Sequence, residues 1–209
     1  MEYIELENWK RKEHFEFFHR MDYPQYNICA NIDATHFLKV IREKGLPFYY
    51  AMIFASTYAA NLIPNFRYRI RDGKVVLHDS LHPSFTEMSS KDDDLFKYVL
   101  VDMGDDMEEF VKTAKEAAEN QISYFDYEKQ SGRDDLIYIT CVPWISFTQM
   151  THTISMNKDD AVPRISWGKY FEENGKILLP FSVQVNHALV DGVHVGRYFE
   201  ELQKYIDNL

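Results

Sequence analysis

The spacing of apolar positions changes several times along the chain, and each change marks an element. From Glu7 to Arg20 charged residues are interleaved with Trp9, Phe15, Phe17 and Phe18, a pattern that predicts an amphipathic helix. Tyr26 to Ile32 alternates with a period of two and predicts a strand. Asp33 then stands as an N-cap for a helix that carries Phe37, Leu38 and Ile41 inward, and Gly45 and Pro47 close it. Phe48 to Ile63 is almost entirely apolar or small, with Ala51, Ala55, Ala59 and Ala60, so it predicts a buried helix stopped by Pro64.

The next segment, FRYRIRDGKVVLHDS, places two short runs around Asp72-Gly73, a hairpin signal. Ser84 to Met88 predicts another strand. Met107 to Gln121 predicts a helix with Phe110, Ala114 and Ala117 on one face, and the polar stretch from Phe125 to Asp135 predicts a loop. Leu136 to Cys141 predicts a buried strand ending at Pro143. Three more strands are expected at Trp144 to Met150, Ile165 to Phe171 and Lys176 to Val185, the last two joined by the turn Glu173-Asn174-Gly175. A helix from about Val195 to Ile206 ends the chain. Strands, hairpins and helices in this mixture predict an α/β two-layer sandwich with a mixed, mostly antiparallel sheet.

Composition narrows the function. The chain is 45% apolar and 27% charged, ordinary for a globular protein, and its 209 residues suit one domain spanning 1–209. A formal charge of −10 argues against nucleic acid and anionic membrane as partners, so an anionic ligand needs a local basic site. Aromatic residues make up 15% of the chain, enough to fill a core or to line an apolar pocket. Cys29 and Cys141 lie far apart without metal-type spacing, which fits a reduced, cytoplasmic setting. The N-terminus has no apolar core of a signal peptide, and no run reaches the length of a membrane span.

The richest stretch is LLPFSVQVNHALVDGVHVGRYFEELQ. A buried strand leads into Asn186-His187, a short loop follows, and Asp191-Gly192 opens the last helix. His187 therefore sits at a strand end, where a side chain can face a cleft. Acyl transfer to an alcohol must remove a weakly acidic proton, and an imidazole titrating near neutral pH does so well. The bare H-x-x-x-D-G pattern is equally compatible with a loop histidine beside a helix-capping aspartate. A metal site built on His187, Asp191 and His194 lacks any further nominated ligand.

Five motifs in order give the chain a resemblance to the chloramphenicol acetyltransferase family. WKRKEHFEFF resembles its W-x-R-K-E-H-F, and FRYRIRDGKVVLHDSLHPSFT its F-R-x-x-x-x-D-G hairpin followed by D-S-x-x-P. YITCVPWISFT resembles V-S-A-x-P-W-V-S-F, ISWGKY resembles F-T-M-G-K-Y, and QVNHALVDGVHVGR resembles QVHHAVCDGFHVGR. The resemblance implies that family's fold, with helices packed on one face of the sheet. It also implies acetyl transfer from acetyl-CoA to a hydroxyl of chloramphenicol, without a metal.

By this resemblance His187 is the general base, and Asp191 is a structural partner of Arg11. Thr140 stands where the family has a serine that stabilises the tetrahedral oxyanion, and Ser166 where it has a threonine acting through water. Lys169 and Tyr170 match contacts to coenzyme A, with Trp144 in the same region, and they supply the local basic and aromatic site. Asn186 replaces the first histidine of the family's pair, a change of modest expected consequence. Phe18, Leu95 and Phe96 fall at acceptor-pocket positions, the last two in the poorly matching stretch SSKDDDLF. Family membership further implies a homotrimer with the active site at the subunit boundary, so that His187 faces Thr140 and Phe18 of a neighbour. Three other readings compete: the same chemistry on another hydroxylated small molecule, a non-catalytic trimeric binder of a small ligand, and the acyltransferase core of a 2-oxo acid dehydrogenase complex. The last shares H-x-x-x-D-G, but no lipoyl domain is expected here.

Overall fold

A computed structural model describes residues 1–89 and 94–209. A two-residue strand β1 (Glu2–Tyr3) and a single 3-10 turn at Leu6–Asn8 precede α1 (Lys12–Phe18), so the expected helix over 7–20 is broken and shorter. The break lies at Trp9–Arg11, where Trp9 leaves helical geometry to pack on Phe15 and Tyr68. β2 (Gln25–Asp33) leads to α2 (Thr35–Glu43), which buries Phe37, Leu38 and Ile41 as expected. The N-cap position is Ala34, one residue beyond Asp33. Asp33 still receives the Thr35 backbone N–H at 3.1 Å and its hydroxyl at 2.6 Å. Gly45 then turns the chain with φ +67°. α3 (Phe48–Asn61) buries every residue from Ala51 to Ala60 except Tyr58, and Pro64 does more than end it, because it starts the short α4 (Pro64–Arg67) at a position that needs no N–H.

β3 (Tyr68–Arg71) and β4 (Lys74–Leu77) form the hairpin, with Asp72 and Gly73 both at positive φ as a two-residue turn of this type requires. Then follow β5 (His82–Met88), β6 (Phe96–Leu100) and α5 (Met107–Asn120), of which the sequence pattern did not announce β6. The expected loop over 125–135 contains a helical turn, α6 (Tyr127–Gln130). β7 (Leu136–Val142), β8 (Arg164–Gly168), β9 (Phe171–Glu173), β10 (Lys176–Asn186) and α7 (Gly192–Asp207) complete the chain.

Two strand expectations need correction. Residues 144–150 form no strand: the Ile145 carbonyl accepts the Lys169 N–H at 2.8 Å and the Met150 carbonyl the Ser182 hydroxyl at 3.0 Å, so these backbone groups are spent on isolated contacts and not on a ladder. The single strand expected over 165–171 is two, β8 and β9. Gly168 is the point of change, since a Cβ there would lie 2.6 Å from the Ile145 carbonyl oxygen.

The main sheet has the order β2-β10-β8-β7-β5-β6, with β9 also on β10, and β1-β4-β3 form a small second sheet. Among the strand pairs of the described residues, β5–β7 and β7–β8 run parallel and the rest antiparallel. The helices cover the main sheet through α3, which packs on α2, α5 and α7 and touches β5 and β7. One continuous apolar cluster joins the layers, with Trp167 stacked on Phe181 and T-shaped or tilted aromatic pairs linking it to Tyr49 and Tyr198. The other sheet face stays partly open, and the polar side chains of the strands gather there.

Candidate active site

β10 runs its buried ladder along β2 as far as the pair Asn186–Gln25, and the His187 backbone N–H then donates to the Pro24 carbonyl at 2.7 Å. The turn 187–191 is held from several directions. Asn186, almost fully buried, donates from Nδ2 to the carbonyls of Lys158 and Asp160, both at 3.0 Å, and accepts the Ala188 N–H at 2.9 Å. Asn65 donates to the Leu189 carbonyl at 2.8 Å, and the Tyr26 hydroxyl to that of Val190 at 3.2 Å. The change expected to be minor, asparagine at 186, thus anchors the turn.

Arg11 is the central tie. Its Nε donates to the Ala188 carbonyl at 2.8 Å, Nη2 to the His187 carbonyl at 2.8 Å and to Asp191 Oδ1 at 2.6 Å, and Nη1 pairs with Asp191 Oδ2. A planar fork is the geometry that can hold a carboxylate and two carbonyls together. Arg11 holds the Asp191 carboxyl below its ordinary range. Asp191 also N-caps α7, reciprocating with His194, whose Nδ1 accepts the Asp191 N–H at 2.9 Å. The His187 ring is stacked on Phe18 at 3.8 Å between centroids and 9° between planes, with Tyr26 tilted against it at 4.6 Å. His187 Nδ1 lies 3.2 Å from Asp191 Oδ1 but out of line for a hydrogen bond, and it is buried, so Nε2 is the nitrogen left to meet a substrate. Phe18 is therefore a partner of His187 within the same chain.

The other candidate residues gather elsewhere. Cross-strand register places Cys29 beside Ser182, Ser182 beside Ser166 and Ser166 beside Thr140, a polar row on the face away from the helices. A cavity of about 680 Å³ opens over the Thr140 end of this row. Thr140, Trp144, Lys169, Tyr170 and Phe96 all line it, in the company of His152 and Trp167. Leu95, half exposed, is not among the lining residues, and residues 90–93 of SSKDDDLF lie outside the described residues. Ser166 does not reach the cavity: it is fully buried, and its hydroxyl is bonded to His152 Nε2. Cys141 lines the wall, its thiol pushed up to about 12 by burial and hence inert as a nucleophile at neutral pH.

The cavity suits a co-substrate with an aromatic base and phosphates, since Trp144 and Tyr170 are exposed rings beside the exposed ammonium of Lys169. Among the described residues no group of three or more His, Cys, Asp or Glu side chains has the arrangement to hold a metal ion, so His187, Asp191 and His194 form none. No helix among them is long and apolar enough to cross a membrane. Sequence reasoning missed His152, Asn65 and Tyr26, because none stands in a recognisable motif and each acquires its part only through folding.

A clamped histidine at a strand end and a cavity fit for a nucleotide thioester define a coenzyme A-dependent acyltransferase. A profile of the chloramphenicol acetyltransferase family matches residues 1–203. A chloramphenicol acetyltransferase from a Klebsiella species is 31% identical over 204 residues, covering 98% of this chain and 93% of the relative. One from Clostridium perfringens is 32% identical over 207 residues, covering 98% and 94%. A solved chloramphenicol acetyltransferase structure superposes with a TM-score of 0.90 at 26% identity, covering 98% of this chain and 99% of that one. The chain belongs to the chloramphenicol acetyltransferase family.

Proposed function

We propose that this protein is a single acyltransferase domain that moves the acetyl group of acetyl-CoA onto a hydroxyl of chloramphenicol, the chemistry of antibiotic resistance, in the cytoplasm. The observation that carries this reading is the Arg11 clamp. One guanidinium binds the carbonyls of the base and its neighbour and the carboxylate behind them, an investment in the position of one imidazole. A protein that only bound a ligand would have no use for it.

In the proposed reaction His187 Nε2 takes the proton of the acceptor hydroxyl as its oxygen attacks the thioester carbonyl. A C–O bond forms, and the carbonyl becomes an oxyanion that the Thr140 hydroxyl stabilises as a donor. Collapse breaks the C–S bond, and the leaving thiolate recovers the proton from His187. Lys169, Tyr170 and Trp144 hold the coenzyme, and Phe18 and Phe96 contact the acceptor.

We further infer a homotrimer. Ser182 and Thr140 stand on one register line, while His187 lies five residues further along β10. At about 3.3 Å per residue and 4.8 Å per strand, base and oxyanion donor of one chain are on the order of 20 Å apart. They meet only across a boundary between copies. The testing experiment is thiol release from acetyl-CoA by purified protein, with and without chloramphenicol, beside sedimentation analysis. Chloramphenicol-dependent release by a trimer is expected. Release without acceptor dependence, or full activity in a monomer, overturns the reading.

A further inference from the structure

The open face of the sheet hides one polar group that no motif announced. His152 sits in the irregular segment between β7 and β8, where its backbone N–H is fixed by the Gln184 side-chain oxygen at 2.8 Å. Its Nε2 is bonded to the Ser166 hydroxyl, and the ring forms part of the cavity wall near Thr140. His152 therefore stands between buried Ser166 and whatever occupies the cavity.

We propose that His152 is a specificity-determining residue: pinned by Ser166, it offers its second ring nitrogen as an N–H donor to an oxygen of the hydroxylated acceptor. The proposal rests on reading the cavity as the substrate cavity. The direction of the donor follows from proton counting. Ser166 is fully buried, and its hydroxyl has no other partner among the described residues. If Nε2 carried the proton, the serine hydrogen would be left without an acceptor, at a cost of about 1–3 kcal/mol. Serine therefore donates to Nε2, and the ring proton resides on Nδ1. Nδ1 has no hydrogen-bond partner among the described residues, and the ring that carries it lines the cavity.

Burial, aided by the charge of Arg164, holds the His152 pKa down to about 4, so the ring is neutral at physiological pH and acts through its hydrogen bond. Arg164 is itself engaged by Asp160 at 2.7 Å. The carboxyl that does line the wall, Glu87, is tied to the Tyr50 hydroxyl at 2.9 Å from the helix side. His152 is thus an uncommitted neutral donor of the wall, in the same cavity as Thr140. Such a donor selects an acceptor with an oxygen set apart from its reacting hydroxyl, such as a carbonyl, nitro or second hydroxyl oxygen, over a purely hydrocarbon alcohol.

The test uses the full-length protein and its His152→Leu and His152→Gln variants. Steady-state thiol release is measured with chloramphenicol, and binding of chloramphenicol alone by calorimetry. The leucine variant is expected to raise KM and Kd for chloramphenicol about tenfold, the worth of one hydrogen bond. Its kcat is expected to stay within about threefold and its KM for acetyl-CoA to stay unchanged, while glutamine, which restores an N–H, recovers most of the loss. If the leucine variant fails to fold because Ser166 is orphaned, His152→Leu combined with Ser166→Ala removes that orphan and carries the binding test. Unchanged KM and Kd beside normal wild-type turnover overturn the proposal and leave acyl transfer standing. Wild-type protein that neither binds acetyl-CoA nor releases thiol overturns both.

Discussion

The turn that carries His187 and the cavity that contains Thr140 are built on opposite principles. At the turn, successive carbonyls from 187 to 190 have a donor from outside it: Arg11 for His187 and Ala188, Asn65 for Leu189, Tyr26 for Val190. The cavity wall is made instead of strand side chains, the first residues of α3 and a segment, 143–163, without regular structure. The comparison teaches where this chain can vary. A base has to be held against every displacement, because misplacing it by a fraction of an ångström forfeits rate. A pocket wall can exchange one side chain for another as long as the shape stays open and the polar atoms find partners.

The sharpest way to break the comparison is at the base. His187→Ala is expected to reduce kcat/KM by about 10²–10⁴ with the fold intact, measured by thiol release and circular dichroism. A loss under about threefold would remove His187 from the chemistry. On the cavity side, Thr140→Val keeps the shape and deletes the donor. The expected loss is about 10²–10³ in kcat with little change in either KM, and an unchanged kcat would mean that the oxyanion is stabilised elsewhere.

The clamp responds differently, through stability. Arg11→Ala orphans the Asp191 carboxylate and two carbonyls, and denaturant melts are expected to report a loss of about 3–5 kcal/mol. A loss below about 1 kcal/mol would show the turn to be self-supporting.

The smallest effect separates the two regions by pH. His152 has a folded pKa of about 4 against an ordinary value near 6.5. As pH falls through that interval the unfolded chain takes up a proton that the folded one refuses, so stability declines between about 6.5 and 4 and then levels off. Asp191 has its carboxyl lowered by Arg11, so its contribution is present above the ordinary carboxylate value of 3.8 and is lost only below it. Melts across pH 4–7 are expected to lose part of their slope in His152→Leu, His82 and His194, also lowered by burial, supplying the rest, and to keep most of it in Asp191→Asn. The reverse pattern would mean that the cavity histidine is solvated.

Much of this molecule was legible in the chain. The apolar helix at 48–61, the Asp72-Gly73 and Asn174-Gly175 turns, and the strand running into His187 follow from local period and turn chemistry, which depend on near neighbours. The loop over 144–150 was not legible, although its residues alternate as a strand would, because its carbonyls meet Lys169 and Ser182, residues distant in sequence, and not a strand edge. The position of Arg11 beside Asp191 was suggested by resemblance alone, since nothing in a helix-turn sequence places its arginine against a loop 180 residues away.

By itself the sequence determined which segments twist into strands or coil into helices, and that a histidine would stand at a strand end next to a capping aspartate. Those outcomes are set by interactions a few residues in range. Only the tertiary structure decided that Asn186 anchors the turn, that Phe18 covers its own histidine, and that Ser166 reaches the cavity only through His152. Each depends on which strands become neighbours and on which polar atoms the packing leaves for one another, quantities that exist only once the chain has closed on itself.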